Sequence, residues 1–149
     1  MRLLEREGVE VIFPLEQSCC GQPAYNAGYR RDAMSVARAQ LKAFPDPDCP
    51  IIVPSGSCAA MMRVQYPKLF EHEPDAYEMR QLASRVHELG DFLLNFLKVR
   101  YRDQGEPLKV TWHSSCHSVR DLDVARYAKS LLRQLENVEL VGLENEEEC

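Results

Sequence analysis

The sequence has no apolar run approaching the roughly 20 residues that a bilayer crossing requires. Nothing after Met1 shows the basic-then-apolar pattern of a secretory signal. The expectation is therefore a cytoplasmic protein without a membrane span. Positive charge is not in excess: 18 Lys and Arg face 23 Asp and Glu, for a net charge of −5. That balance speaks against nucleic acid or an anionic membrane as partner. Glycine-rich dinucleotide fingerprints, phosphate loops and a Ser-His-Asp order are missing too, so nucleotide-dependent and serine-hydrolase chemistries find no support. Also missing is any Cys-x₂₋₄-Cys chelate pair, the usual element of a structural zinc site.

What the 149 residues do contain is an ordinary globular composition, 45% apolar and 28% charged. One domain is the default at this length, with two small lobes possible. The unusual number is six cysteines, at positions 19, 20, 49, 58, 116 and 149. Without an export signal, such a count points to metal or redox work more than to disulfides.

The patterning alternates strands with helices. Leu3 to Gly8 reads as the end of a helix with a glycine stop, and Val9 to Phe13 alternates like a strand. A helix is expected from about Ala24 to Phe44, with Ala33, Ala37, Leu41 and Phe44 as its apolar stripe. Ile51 to Val53 is a short buried strand, and Ser57 is a plausible cap for a helix carrying Cys58, Met61 and Met62. Glu71 to Glu78 reads as a polar surface connection and Val86-His87 as extended chain. A helix follows from near Leu89 to Val99, then a strand over Lys109 to Trp112. The last helix starts near Asp121, with Val124, Ala128, Leu131, Leu132 and Leu135 facing inward, before a final strand over Val138 to Val141. This order predicts an α/β fold, a mostly parallel sheet flanked by helices. Cys19 and Cys20, Cys58 and Cys116 then each follow a strand and precede a helix, where ligands bind in such folds and where a helix N-terminus lowers a thiol pKa.

Residues 3–11 also resemble residues 131–140, each reading as helix, turn and strand before a polar loop that ends at cysteine. The similarity places Cys149 opposite Cys19 or Cys20 and predicts two related cysteine-rich units.

Gln17-Ser18-Cys19-Cys20-Gly21-Gln22-Pro23-Ala24, with Pro54-Ser55-Gly56-Ser57-Cys58 and His113-Ser114-Ser115-Cys116-His117, resembles the cysteine-rich CCG family. That family includes iron–sulfur subunits of lactate-utilization, glycolate oxidase and heterodisulfide reductase systems, and the lactate-utilization branch is the most similar. Its unit runs from one cysteine to Cys-Cys-Gly to Cys-x-x-Cys, and it usually occurs twice. The resemblance implies that Cys19, Cys20 and Cys58 belong to a first unit over residues 1–105, and Cys116 and Cys149 to the opening of a second over residues 106–149. It implies an iron–sulfur cluster of the 4Fe-4S type held by these five cysteines in the intact protein. Other iron–sulfur or flavin subunits are the implied partners, and a small 2-hydroxy acid the implied substrate, L-lactate to pyruvate first and glycolate second. No leading cysteine precedes Cys19, and Ser55 stands where Cys-x-x-Cys would begin. The chain therefore reads as a piece of a longer protein, one that folds without completing a four-iron cluster and that self-associates or binds a stray ion at Cys19 and Cys20.

Adjacent cysteines diverge, so they reach two irons of one cluster more easily than they chelate one ion. The plainer alternative is a non-catalytic module in which the cysteines bind zinc or simply pack; a thiol–disulfide enzyme using Cys19 and Cys20 ranks below both. Cys49, in a proline-rich loop, is expected to be a bystander, and no catalytic residue is identified. His113 and His117 flank Cys116 and read as hydrogen-bonded structural side chains, with a role beside a cluster as the alternative. Arg30 and Arg31 could steer an anionic acid, but a solvated helix face is the commoner explanation.

Overall fold

The computed structural model describes residues 1–102 and 105–148. It is an α/β structure built around two separate pairs of parallel strands. Strand β1 (Ile51–Val53) pairs with β2 (Val86–Glu88), Ile51 opposite Val86. Strand β3 (Leu108–Val110) pairs with β4 (Val138–Leu140), Leu108 opposite Val138. Parallel neighbours need a crossover, and helices supply both.

The first crossover is a helical run: α4 (Gly56–Ala60), a π-helical turn (Met61–Gln65), α5 (Tyr66–Leu69) and then α6 (Ala76–Ser84). Pro67 explains the π turn. It lacks an N–H and its ring crowds the carbonyl one turn back, and a widened turn absorbs the misfit. The second crossover is α8 (Cys116–Arg120) and α9 (Val124–Leu132). Cys58 and Cys116 thus hold equivalent places, early in the first helix after the first strand of each β-α-β unit.

Before β1 come α1 (Arg2–Arg6), α2 (Gln22–Asn26) and α3 (Arg30–Ala43). After β2 come α7 (Leu89–Asp91) and a second π turn (Phe92–Phe96). Two cores hold these elements. The larger joins Cys20, Ala33, Ala37, Ile51, Met61, Tyr66, Phe70 and Val86; the smaller joins Leu4, Phe92, Leu93 and Val99, with Val9, Val11 and Ile52 against it. No helix among the described residues is long and apolar enough to cross a membrane.

Several expectations need correction. Val9 to Phe13 forms no strand: Val9 and Val11 turn toward the smaller core, while Ile12 and Phe13 are exposed. The first copy of the proposed repeat therefore lacks its paired strand. The long helix expected from Ala24 to Phe44 is broken at Gly28, whose φ of +83° is left-handed. The expected surface connection over Glu71 to Glu78 already contains the start of α6. Among the apolar residues assigned inward in the last helix, Val124 is fully buried and the others are half-buried.

Candidate thiol site

The Cys19-Cys20 loop is held by buried side chains that reach its backbone. Gln40, 2% exposed, donates from Nε2 to Ser18 Oγ at 3.0 Å and to the Cys19 carbonyl at 3.1 Å. Tyr66, 0% exposed, donates its hydroxyl to the Cys20 carbonyl at 2.8 Å. Gln22 Nε2 donates to the Ser57 carbonyl at 3.3 Å, tying the loop to the turn before Cys58. Gly21 completes the motif: its φ is +81°, and a Cβ there would lie 3.2 Å from the Ala33 carbonyl oxygen. Its N–H points at Cys19 Sγ, 3.4 Å away.

This clamp makes the adjacent cysteines diverge. Cys19 is exposed, whereas Cys20 is buried in the larger core. The Cys20 thiol is pushed up to about 12, chiefly by burial, with the Cys58 and Cys19 thiols adding to the rise. The expectation that a helix N-terminus lowers thiol pKa values at this site fails for Cys20, because desolvation outweighs the lowering by the Gln22 backbone N–H. The Tyr66 hydroxyl is raised as well, first by burial and then by the thiols of Cys20, Cys19 and Cys58.

The π turn explains how Tyr66 comes to share this site with Cys58. In an unbroken α-helix, residues eight apart are separated by two turns and about 80°. The extra residue taken up by a π turn removes one such step and returns Tyr66 to the Cys58 face. Sequence reasoning missed Tyr66, Gln40 and Gln65; Pro67 inside a helical run was the available signal for the π turn.

Cys116 is half-buried at the start of α8, and α8 packs against α4, the helix of Cys58. Cys149 lies outside the described residues. Cys49 is half-buried in its own loop; its carbonyl accepts from Arg85, and it takes no part in the site. Ser55, at the first position of the expected Cys-x-x-Cys, is the N-cap of α4, its hydroxyl 3.2 Å from that of Ser57. His113 is hydrogen-bonded to the Glu148 carbonyl, and His117 Nδ1 pairs with Asp121 Oδ2 at 3.2 Å. Arg30 and Arg31 are solvent-exposed on the first turn of α3.

The donor set suits a group that accepts several thiolates from different loops. Among the described residues, no three His, Cys, Asp or Glu side chains converge closely enough for a single metal ion. A cavity of about 230 Å³ lies beside this region, lined by Arg63, Glu88, Asp91, Asp121, Asp123 and Tyr127 among others. Its lining is acidic, and burial raises the Glu88 carboxyl despite the N–H groups of Gly90 and Asp91 that it accepts.

Residues 1–63 match the model of a cysteine-rich domain known as CCG. Over its whole length the chain is 42% identical to lactate utilization protein A of Geobacillus thermodenitrificans, covering 62% of that protein. It is 43% identical to the protein of that name from Geobacillus kaustophilus and 41% to that from Bacillus subtilis, again covering all of this chain and 62% of each relative. The chain thus spans about three-fifths of the length of these relatives. No solved structure matches it.

Proposed function

We propose, for a chain whose residues 1–63 match the cysteine-rich CCG domain, the role of an iron–sulfur electron carrier in a system that oxidises a small 2-hydroxy acid. L-lactate to pyruvate is the favoured reaction and glycolate the second, since the relatives are named for lactate utilization. The observation that carries this reading is that Cys20 and Tyr66 share one core with Cys58 packed against it, Cys19 adjoins Cys20, and the Cys116 helix packs on the Cys58 helix. Cys19, Cys20, Cys58, Cys116 and Cys149 are the proposed ligands of a 4Fe-4S type cluster in the intact protein.

When bound, such a cluster supplies one-electron transfer. Oxidation of a 2-hydroxy acid to a 2-oxo acid releases two electrons and two protons, so the carrier needs partner subunits with flavin or further clusters. The acidic cavity supports the same division of labour. Four of its lining residues are carboxylates against one arginine, a poor receptor for an anionic acid. Substrate binding is therefore assigned to a partner, in the cytoplasm. The boundary between units at residues 105 and 106 belongs to this proposal, and each strand pair falls on one side of it. So does incomplete cluster assembly on the 149 residues alone, since Ser55 offers a hydroxyl where a thiolate is expected, and so does self-association of the isolated chain.

The rival is a zinc-binding or structural module. Anaerobic purification followed by iron, acid-labile sulfide and zinc analysis separates the two. Iron and sulfide together, with brown visible absorption, support the carrier; zinc at one per chain without sulfide overturns it.

A further inference from the structure

The Cys-Cys-Gly segment and the Cys116 segment are joined by a chain of side-chain hydrogen bonds that contains no thiol. Tyr25, in α2 just past the Cys-Cys-Gly loop, donates its hydroxyl to Gln65 Oε1 at 3.2 Å. Gln65 Nε2 donates to Asp121 Oδ1 at 3.1 Å. The other oxygen, Asp121 Oδ2, meets Nδ1 of His117 at 3.2 Å, beside Cys116. All three bonds are partly shielded from water.

The polarity of this chain is set at Gln65. Asp121 only accepts, so the amide nitrogen faces it and the amide oxygen is left for the Tyr25 hydroxyl. A carboxylate at position 65 could accept from Tyr25 but not donate to Asp121; an apolar residue could do neither. Gln65 closes the same π turn that carries Tyr66 onto the Cys58 face, so one helical run reaches the cysteine loop and the Cys116 helix together.

We propose that Gln65 is a positioning residue that sets the separation between the Cys19-Cys20 loop and the Cys116 helix. It would thereby hold the thiols of both segments at one cluster. The cluster part rests on the reading under Proposed function, whereas the separation itself does not.

The test measures separation in the metal-free, reduced 149-residue chain and cluster signature in the reconstituted chain. A short bismaleimide is reacted with wild type and variants, and the linked cysteine pairs are quantified by mass spectrometry. In Gln65→Leu and Gln65→Glu, the yield of links from Cys19 to Cys116 is expected to fall about five-fold, the ratio given by one lost net hydrogen bond. Links from exposed Cys19 to Cys58, whose segments Gln22 and Tyr66 hold together without Gln65, should keep their wild-type yield. Gln65→Glu combined with Asp121→Asn reverses donor and acceptor and should restore both the cross-link and the electron paramagnetic resonance line shape of the reconstituted site. An unchanged Cys19–Cys116 yield in Gln65→Leu, or an equal fall in the Cys19–Cys58 link, overturns the proposal. Wild type that cross-links as described yet binds one zinc per chain without sulfide overturns the carrier reading and leaves the positioning role standing.

Discussion

The Tyr66 hydroxyl donates to the carbonyl oxygen of Cys20 at 2.8 Å, across 46 positions of sequence and out of reach of solvent. A buried carbonyl with this single side-chain donor is expensive to orphan. The phenol therefore does more than fill the core: it fixes the backbone from which the buried thiol projects.

Tyr66→Phe removes that donor and keeps the ring. The expected loss is about 1–2 kcal/mol of stability in chemical denaturation. Maleimide should also label Cys20 faster as the loop loosens. Unchanged stability and labelling would show that the loop is held without Tyr66.

Two left-handed glycines give an internal comparison. Gly21 at φ +81° has the Ala33 carbonyl oxygen 3.2 Å from where a Cβ would sit, whereas Gly8 at φ +77° has nothing within 4 Å. Gly8→Ala should cost about 1 kcal/mol from the backbone alone. Gly21→Ala should cost that plus the displacement of the loop against α3, a total of about 2–3 kcal/mol. Thermal melts of the two variants check the order, which is the firm part of the expectation.

Acid stability should depend on Arg38. Its guanidinium bonds Asp75 at 2.7 and 2.9 Å and Glu73 at 2.9 Å, and holds the Asp75 carboxyl below its ordinary range. A folded-state pKa below the unfolded one means that the contribution is present above the unfolded value, about 3.9, and is lost as pH falls through the folded value. The Arg38 side chain is 41% exposed, so the effect is modest. Arg38→Met should cost about 0.5–1 kcal/mol at neutral pH, and the difference from wild type should shrink below pH ~4. A difference that stays constant down to the lowest pH would place the effect in packing on Phe70 instead, whose ring lies 5.0 Å from the guanidinium carbon.

Much of this architecture was legible in the sequence, because short β-branched runs followed by cysteine-bearing helices leave few alternatives. Ile51 to Val53 and Lys109 to Val110 appear as strands, and Cys58 and Cys116 follow them as expected. Val9 to Phe13 carries the same β-branched pattern, but strand propensity expresses packing against neighbours and becomes a ladder only where a partner is present. Gln40, Gln65 and Tyr66 could not be found by pattern. A buried glutamine or tyrosine on an apolar face looks the same whether it fills space or clamps a loop, and their partners lie 21 to 56 positions away. Burial of Cys20 was hidden too, since polar neighbours in sequence suggested an open loop while the chain turns that thiol into the core.

The central claim is that Cys19, Cys20 and Cys58 form one thiolate site for an iron–sulfur group. Its most direct test is iron and acid-labile sulfide content after anaerobic reconstitution of wild type and single Cys→Ser variants. Wild type is expected to hold iron and sulfide in similar amounts, fewer than four of each per chain. Cys20→Ser and Cys58→Ser should each lose most of both, and Cys49→Ser should match wild type. Iron and sulfide retained in full by Cys20→Ser and Cys58→Ser, or lost equally in Cys49→Ser, would contradict the claim.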